Sequence, residues 1–159
     1  RTPQNIVIGG ASGAFPPMIG WAAVTGDIGL GSIALFAIIF FWTPPHSWAL
    51  ALFRRGDYAA ADVPMMPVVA GEQSTKRQML VYTLLLIPAT LAPVVLGVSG
   101  AFYGVAAAGL GIEFWRRLWN VWKSDDVMAA RPFFLFSILY LFLIFAALLV
   151  DRLVFVPLV

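Results

Sequence analysis

The chain has 159 residues, 61% hydrophobic and only 11% charged, with a mean hydropathy of +0.89. A soluble domain is nearer half apolar and a quarter charged, so this composition excludes one and describes an integral membrane protein. The net charge of +2 comes from basic residues grouped at the ends of apolar runs, which is no nucleic-acid signature, and the lack of cysteine excludes disulfides and thiolate metal sites.

Five apolar segments follow in chain order, near 6–25, 28–53, 79–98, 101–122 and 133–150. Each approaches the ~20 residues a helix needs to cross the hydrocarbon core, and helices are the spanning form that bonds its own backbone in lipid. The expected fold is therefore an all-α integral membrane protein with five transmembrane helices. The first segment carries Gly9, Gly10, Gly13, Pro16, Pro17 and Gly20. Small residues let helices approach, and proline removes backbone donors and bends the helix. The second carries Pro44-Pro45 and the third Pro88 and Pro93; bent helices in a bundle can enclose a cavity. The fourth segment turns polar on one side in its last third.

Lys and Arg fall in alternate loops. Arg54, Arg55, Lys76 and Arg77 mark one, and Arg116, Arg117, Lys123 and Arg131 another, while the turns near 25–28 and 98–101 have none. The positive-inside rule then puts 54–77 and 116–131 in the cytoplasm, with the N-terminus inside and the C-terminus outside. The chain opens on Arg1 rather than Met and reads as the later part of a longer protein.

The stretch 41–69, FWTPPHSWALALFRRGDYAAADVPMMPVV, has the most chemistry in it. If the second helix runs on, Thr43, His46, Leu50, Arg54 and Asp57 share one face. A carboxylate at that surface suits Mg²⁺, which prefers oxygen ligands and keeps waters and substrate phosphates. Arg54 or Arg55 can take diphosphate oxygens through the planar guanidinium fork. The plain reading is a pair of interfacial anchors beside a solvated acid. Asp62 is a candidate second ligand, although i to i+5 suits one helix face poorly. The Val63-Pro64-Met65-Met66-Pro67 return is stiff, and forms either a lid or a connector. His46, an ionisable group inside a span, either contacts a substrate such as haem or pairs with a carbonyl freed by Pro44 or Pro45. Glu113, Arg116, Arg117, Asn120 and Lys123 make a polar stripe opposite Trp115, Trp119 and Trp122. That pattern is an interfacial belt or an aromatic wall for a prenyl tail or porphyrin. Lys76 and Arg77 open the third helix, where they can hold an anion, and Asn5, with Arg1 and Thr2, lies at the start of the first.

These blocks in this order, 1–10 (RTPQNIVIGG), 13–21 (GAFPPMIGW), Trp42-Thr43-Pro44-Pro45-His46, Asp57-Tyr58 and Pro64-Met65-Met66-Pro67, resemble the UbiA-type intramembrane prenyltransferases, and within them the haem-farnesylating branch. The resemblance implies a nine-helix bundle around a central cavity, of which this chain would be the C-terminal part, 1–159, within one polytopic domain. It implies Mg²⁺ and farnesyl diphosphate held by two acidic motifs on cytoplasmic loops. The first, of the Asn-x-x-x-Asp type, falls outside this chain, and the second falls on Asp57. Where the superfamily often has Asp-x-x-x-Asp, this chain has Ala61 and then Asp62, so Asp62 inherits no ligand role. The implied reaction is farnesyl transfer to the 2-vinyl group of haem b, giving haem O for terminal oxidases. Asp57, Arg54 and Arg55 would serve catalysis, with His46, Asn5, Tyr58 and Lys76 at the substrates. The implied setting is a bacterial inner membrane, with membrane lipid and a downstream haem A synthase as partners. A quinone or chlorophyll-precursor acceptor, a non-catalytic haem-binding assembly protein and a small transporter are the competing readings.

Overall fold

The computed structural model describes residues 4–154, and every regular element among them is helical. In chain order these are α1 (Asn5–Gly13), α2 (Pro16–Thr25), α3 (Leu30–Phe53), α4 (Arg55–Ala60), α5 (Met66–Val69), α6 (Glu72–Val95), α7 (Ala101–Lys123) and α8 (Ala130–Val154), the last entered through a 3₁₀ turn at Val127–Ala129. Arg1 and Thr2 lie outside the described residues.

Four stretches are both long and apolar enough to cross a membrane: Asn5–Thr25, Leu30–Phe53, Glu72–Val95 and Val127–Val154. α7 is long enough at 23 residues, but Glu113, Arg116, Arg117 and Lys123 lie along its last half, and it falls outside that set of four. The first expected span is two helices. Pro16 and Pro17 offer no N–H to the carbonyls of Ser12 and Gly13, so α1 stops and α2 starts with proline in its first turn. By contrast Pro44 and Pro45 sit inside α3 without ending it. The third span starts seven residues before the expected position 79 and ends at Val95. Its first turns are the polar Glu72–Gln78, which an apolarity reading assigns to a loop.

α3 is the central helix. It packs against α1, α2, α6 and α8, and α7 closes against α6 and α8. Of its most apolar window 39% is buried, against 11% for the Asn5–Thr25 stretch, which therefore lies at the edge of the packed body. Ile38 and Trp48 of α3, Met79 and Leu86 of α6, Phe114 of α7 and Tyr140 of α8 form the shared core. Apolar side chains gain little by leaving lipid for protein, so close packing holds such helices together. Two glycines supply that closeness. A Cβ on Gly10 would meet Thr43 Cγ2 at 2.9 Å, and one on Gly31 would meet the Trp21 ring at 2.6 Å.

Candidate active site

The helix that carries His46 does not run on to Asp57. α3 stops at Phe53, and Arg54, with φ −111° and ψ 19°, turns the chain into α4. The Arg54 carbonyl then accepts the N–H groups of Asp57 (3.1 Å) and Tyr58 (3.2 Å), so it caps one helix and seeds the next. The continuous face from Thr43 to Asp57 is thus broken after Leu50. What survives is local: the Arg54 guanidinium pairs with the Asp57 carboxylate at 3.1 Å, with both side chains exposed, 61% and 70%. A pair so open to water is weak, and its carboxylate is free to exchange the guanidinium for a cation. Arg55 reaches Glu72 at 3.3 Å and ties α4 to the start of α6. Tyr58 is half-buried, and its carbonyl accepts the Val63 N–H at 3.0 Å.

Asp62 ends this turn in the left-handed region, with φ +52°, and its N–H bonds the Ala59 carbonyl at 3.2 Å. Among the described residues its carboxylate makes no hydrogen bond or ion pair. The return that follows is pinned. Met65, Met66 and Pro67 are buried, the Asn5 amide donates to Met65 Sδ at 3.6 Å, and the Gln78 amide donates to Met66 Sδ at 3.3 Å. This is a packed connector between α1 and α6 rather than a loose lid. It also brings Asn5 from the far end of the sequence to the loop that carries Asp57.

Lys76 is the expected anion holder whose placement differs most. It is 5% exposed, and its ammonium donates to the Ser124 carbonyl at 2.7 Å, clasping α6 to the end of α7. The α7 stripe pairs internally: Glu113 accepts from Arg116 at 2.7 Å and from Arg117 at 2.5 Å. Arg117 also lies over the Phe136 ring at 4.4 Å. Trp115 and Trp119 stack on each other at 6.2 Å, Lys123 covers Trp119 at 5.5 Å, and Trp119 is exposed, as an interfacial belt would be.

His46 is half-buried and finds a side-chain partner rather than a freed backbone carbonyl. Its Nδ1 lies 2.7 Å from Ser137 Oγ on α8. Trp42 and Phe134 cover the two faces of the ring, with centroids at 4.2 and 4.7 Å. Ser137 is the one small polar side chain in the apolar run Phe133–Phe145, where Tyr140 carries the other hydroxyl, a signal that sequence reasoning passed over. Asp151 was passed over in the same way, although it is an acid at the end of the last apolar segment.

Three of the hollows among the described residues are large enough to hold part of a ligand. The first, of about 310 Å³, lies between α1 and α3 and is lined by Asn5, Gly9, Gly10, Ile39, Trp42 and Thr43. A second, of about 620 Å³, is walled by Trp42 and α8. The largest of the three, about 730 Å³, sits at the opposite end of the bundle from α4, between Trp21, Gly31, Val98 and Arg152. Among the described residues no three His, Asp or Glu side chains gather into a metal cage. Mg²⁺ needs no such cage, since it binds through one or two carboxylates plus waters and phosphates, and the exposed Asp57 fits that donor set.

The profile of the UbiA prenyltransferase family matches residues 1–144. Among curated proteins, the chain is 58% identical over 160 residues to "Protoheme IX farnesyltransferase 2" of Mesorhizobium japonicum, covering 96% of this chain and 50% of that protein. It is 56% identical over 156 residues to "Protoheme IX farnesyltransferase" of Parvibaculum lavamentivorans, covering 96% and 49%. The protein of that name from Brucella ovis is 56% identical over 158 residues, covering 97% and 51%. The chain therefore spans about half the length of the curated relatives it matches. No solved structure matches it significantly. With the family profile covering all but its last fifteen residues, the chain belongs to the UbiA prenyltransferase family.

Proposed function

We propose that the chain works as the C-terminal part of an enzyme that moves the farnesyl group of farnesyl diphosphate onto the 2-vinyl group of haem b, releasing diphosphate and giving haem O. The observation that carries this reading is identity of 56–58% over 94–97% of the chain to relatives named protoheme IX farnesyltransferase. The site supports it, with the exposed Asp57 carboxylate beside two guanidinium groups, and the exposed Asp62 on the same turn, at one end of an apolar helical body.

Asp57 would hold Mg²⁺, which supplies positive charge to the departing diphosphate. Asp62 lies on the same turn as a further oxygen donor. Arg54, released from Asp57 when that carboxylate turns to the cation, and Arg55 would take diphosphate oxygens, matching charge that grows as the C–O bond breaks. That bond's electron pair leaves with diphosphate. The allylic cation left behind is attacked by the terminal carbon of the haem vinyl group. Water then adds to the resulting benzylic-type cation and loses a proton, giving the hydroxyethylfarnesyl substituent. Apolar walls keep water from the first cation until the new C–C bond has formed. Asn5 and Tyr58 border the diphosphate end, and His46 faces haem. Lys76 would serve this site by holding α6 to α7 rather than by touching substrate.

In the same reading α7 is a fifth span, and the whole protein closes a nine-helix bundle around the cavity. The loops 54–77 and 116–131 face the cytoplasm across a bacterial inner membrane, and haem O passes to a haem A synthase. The chain alone would be inactive, because the partner acidic motif of the family lies elsewhere.

The test uses the full-length protein carrying this segment, in nanodiscs with haem b, farnesyl diphosphate and Mg²⁺, with product followed by mass. Mg²⁺-dependent farnesylated haem that vanishes in Asp57→Asn supports both the reaction and the carboxylate's role. Haem binding without product in the wild type refutes the enzyme, and product that survives the substitution moves the metal elsewhere.

A further inference from the structure

Phe145, Leu148, Leu149 and Arg152 of α8 follow at spacings of three and four, so they share one face of the helix. That face forms one wall of the hollow of about 730 Å³. The hollow is a recess between elements rather than an outer surface. α2 supplies Trp21, the turn after α6 supplies Val98, and the start of α3 supplies the floor, where Gly31 and Leu35 are buried. Its volume falls within the ~300–1,000 Å³ of small-molecule sites. Phe145 and Leu149 also wall the hollow that runs along α8 to Trp42, so the apolar path continues inward.

Arg152 is the exception on this apolar lining. It is exposed, and among the described residues it makes no hydrogen bond or ion pair. Every other Lys and Arg of the described residues falls within 54–77 or 116–131, the loops of the opposite end, so the positive-inside rule does not account for it. The two acids at its own end are engaged elsewhere. Asp27 accepts the Ile28 N–H at 2.7 Å, and Asp151 accepts the first N–H groups of α7. That clasp also sets the direction of Arg152. Successive helical residues point about 100° apart, so fixing Asp151 on α7 turns Arg152 toward the hollow.

The site is remote from the loop that carries Asp57. From Gly31 to Phe53, beside α4, α3 rises about 33 Å at 1.5 Å per residue. A farnesyl main chain of about eleven C–C bonds, each about 1.5 Å, spans less than about 17 Å. A farnesyl chain held at Asp57 therefore cannot fill the recess.

An apolar recess with one exposed guanidinium at its mouth matches an amphiphile with a long apolar chain and an anionic head. We infer that it binds an anionic phospholipid of the adjoining leaflet, with the phosphate on Arg152 and an acyl chain over Gly31 and Leu35. A guanidinium takes phosphate oxygens through its planar fork, and the amphipathic ring of Trp21 belongs at headgroup level. A zwitterionic head carries its own ammonium for the phosphate, so a head without one gains more from Arg152.

The test uses the full-length protein carrying this segment, in phosphatidylcholine nanodiscs doped with phosphatidylglycerol that bears a photoreactive acyl chain. Crosslinked peptides are read by mass spectrometry, beside a matched phosphatidylcholine probe. Phosphatidylglycerol should mark the segments 29–35, 96–98 and 145–152 several-fold more than phosphatidylcholine does. Arg152→Gln should cut that labelling about tenfold, and Arg152→Lys should restore most of it. Gly29 lines the recess with φ −88°, and an added Cβ there would meet nothing within 4 Å. Gly29→Leu should therefore fill the recess and remove the labelling with Arg152 intact. Equal labelling by the two lipids, or labelling unchanged in Arg152→Gln, overturns the proposal. So does a wild type unmarked at these segments, the result if another part of the full-length protein fills the recess. Arg152 is exposed and unpaired, so its variants keep the fold and decide the matter even if Gly29→Leu does not fold.

Discussion

Asp151 offers the sharpest test of how the helices are held together. It is 1% exposed, near the end of α8, and its carboxylate accepts the N–H groups of Gly100 and of Tyr103, the latter at 3.1 Å. These belong to the start of α7, where the first N–H groups have no partner within the helix. The carboxylate also meets the positive end of the α7 dipole. Asp151→Ala removes two bonds of the charged class, each about 1.5–3 kcal/mol, and leaves two buried donors, a penalty that overlaps with the first. The loss should be about 3 kcal/mol, roughly a hundredfold in the folding equilibrium. Asp151→Asn keeps one oxygen acceptor but turns an NH₂ toward the second donor, so it should lose about half as much. The assay is unfolding of the full-length protein in mixed micelles, with hydrogen exchange read at residues 100–103. Exchange there should rise in both variants, more in Ala than in Asn. An Ala variant within about 0.5 kcal/mol of wild type, with unchanged exchange, would refute the reasoning and show that water replaces the carboxylate without loss.

Three further outcomes follow from the same structure. Gly10→Ala should destabilise by about 1–3 kcal/mol through overpacking against Thr43, whereas Gly9→Ala, whose added methyl would meet nothing within 4 Å, should be neutral or gain about 0.5–1 kcal/mol; equal melting shifts for the two would deny the close α1–α3 approach. Lys76→Met should lose about 1.5–3 kcal/mol with its charged hydrogen bond to Ser124 while leaving the KM for farnesyl diphosphate unchanged. A raised KM at unchanged stability would return Lys76 to the substrate. Asp62→Gly should be neutral or stabilising by up to about 1 kcal/mol, since glycine relieves the left-handed backbone; it should keep most farnesyl transfer if Asp57 alone supplies the protein's Mg²⁺ ligand, and a loss matching that of Asp57→Asn would make Asp62 a ligand too.

The helical class and the membrane setting were legible because they depend on composition and on long apolar runs, which need no tertiary information. The breaks were less so. Pro16-Pro17 and Pro44-Pro45 are the same dipeptide, yet the first pair divides two helices and the second lies within α3. α3 is packed on several sides and α1–α2 is not, so neighbours hold the backbone at one pair and leave it free to turn at the other. The start of α6 was missed because Glu72–Gln78 is polar, while its backbone still gains helical bonds and its Lys76 finds a carbonyl.

Around the site, sequence alone determined which residue types were present and where charge meets the apolar body: Arg54, Arg55 and Asp57 after a long apolar run, and one histidine within it. Tertiary structure decided the pairings. Lys76 with Ser124, His46 with Ser137, Asn5 with Met65 and Asp151 with the start of α7 join positions 48, 91, 60 and up to 51 residues apart. Helical periodicity relates residues only within a few turns, so a partner on another helix is set by which helix packs beside it and at what height. Small residues such as Gly10 and Gly31 permit those heights. The partner of a buried polar group then follows from the rule that it must find one nearby.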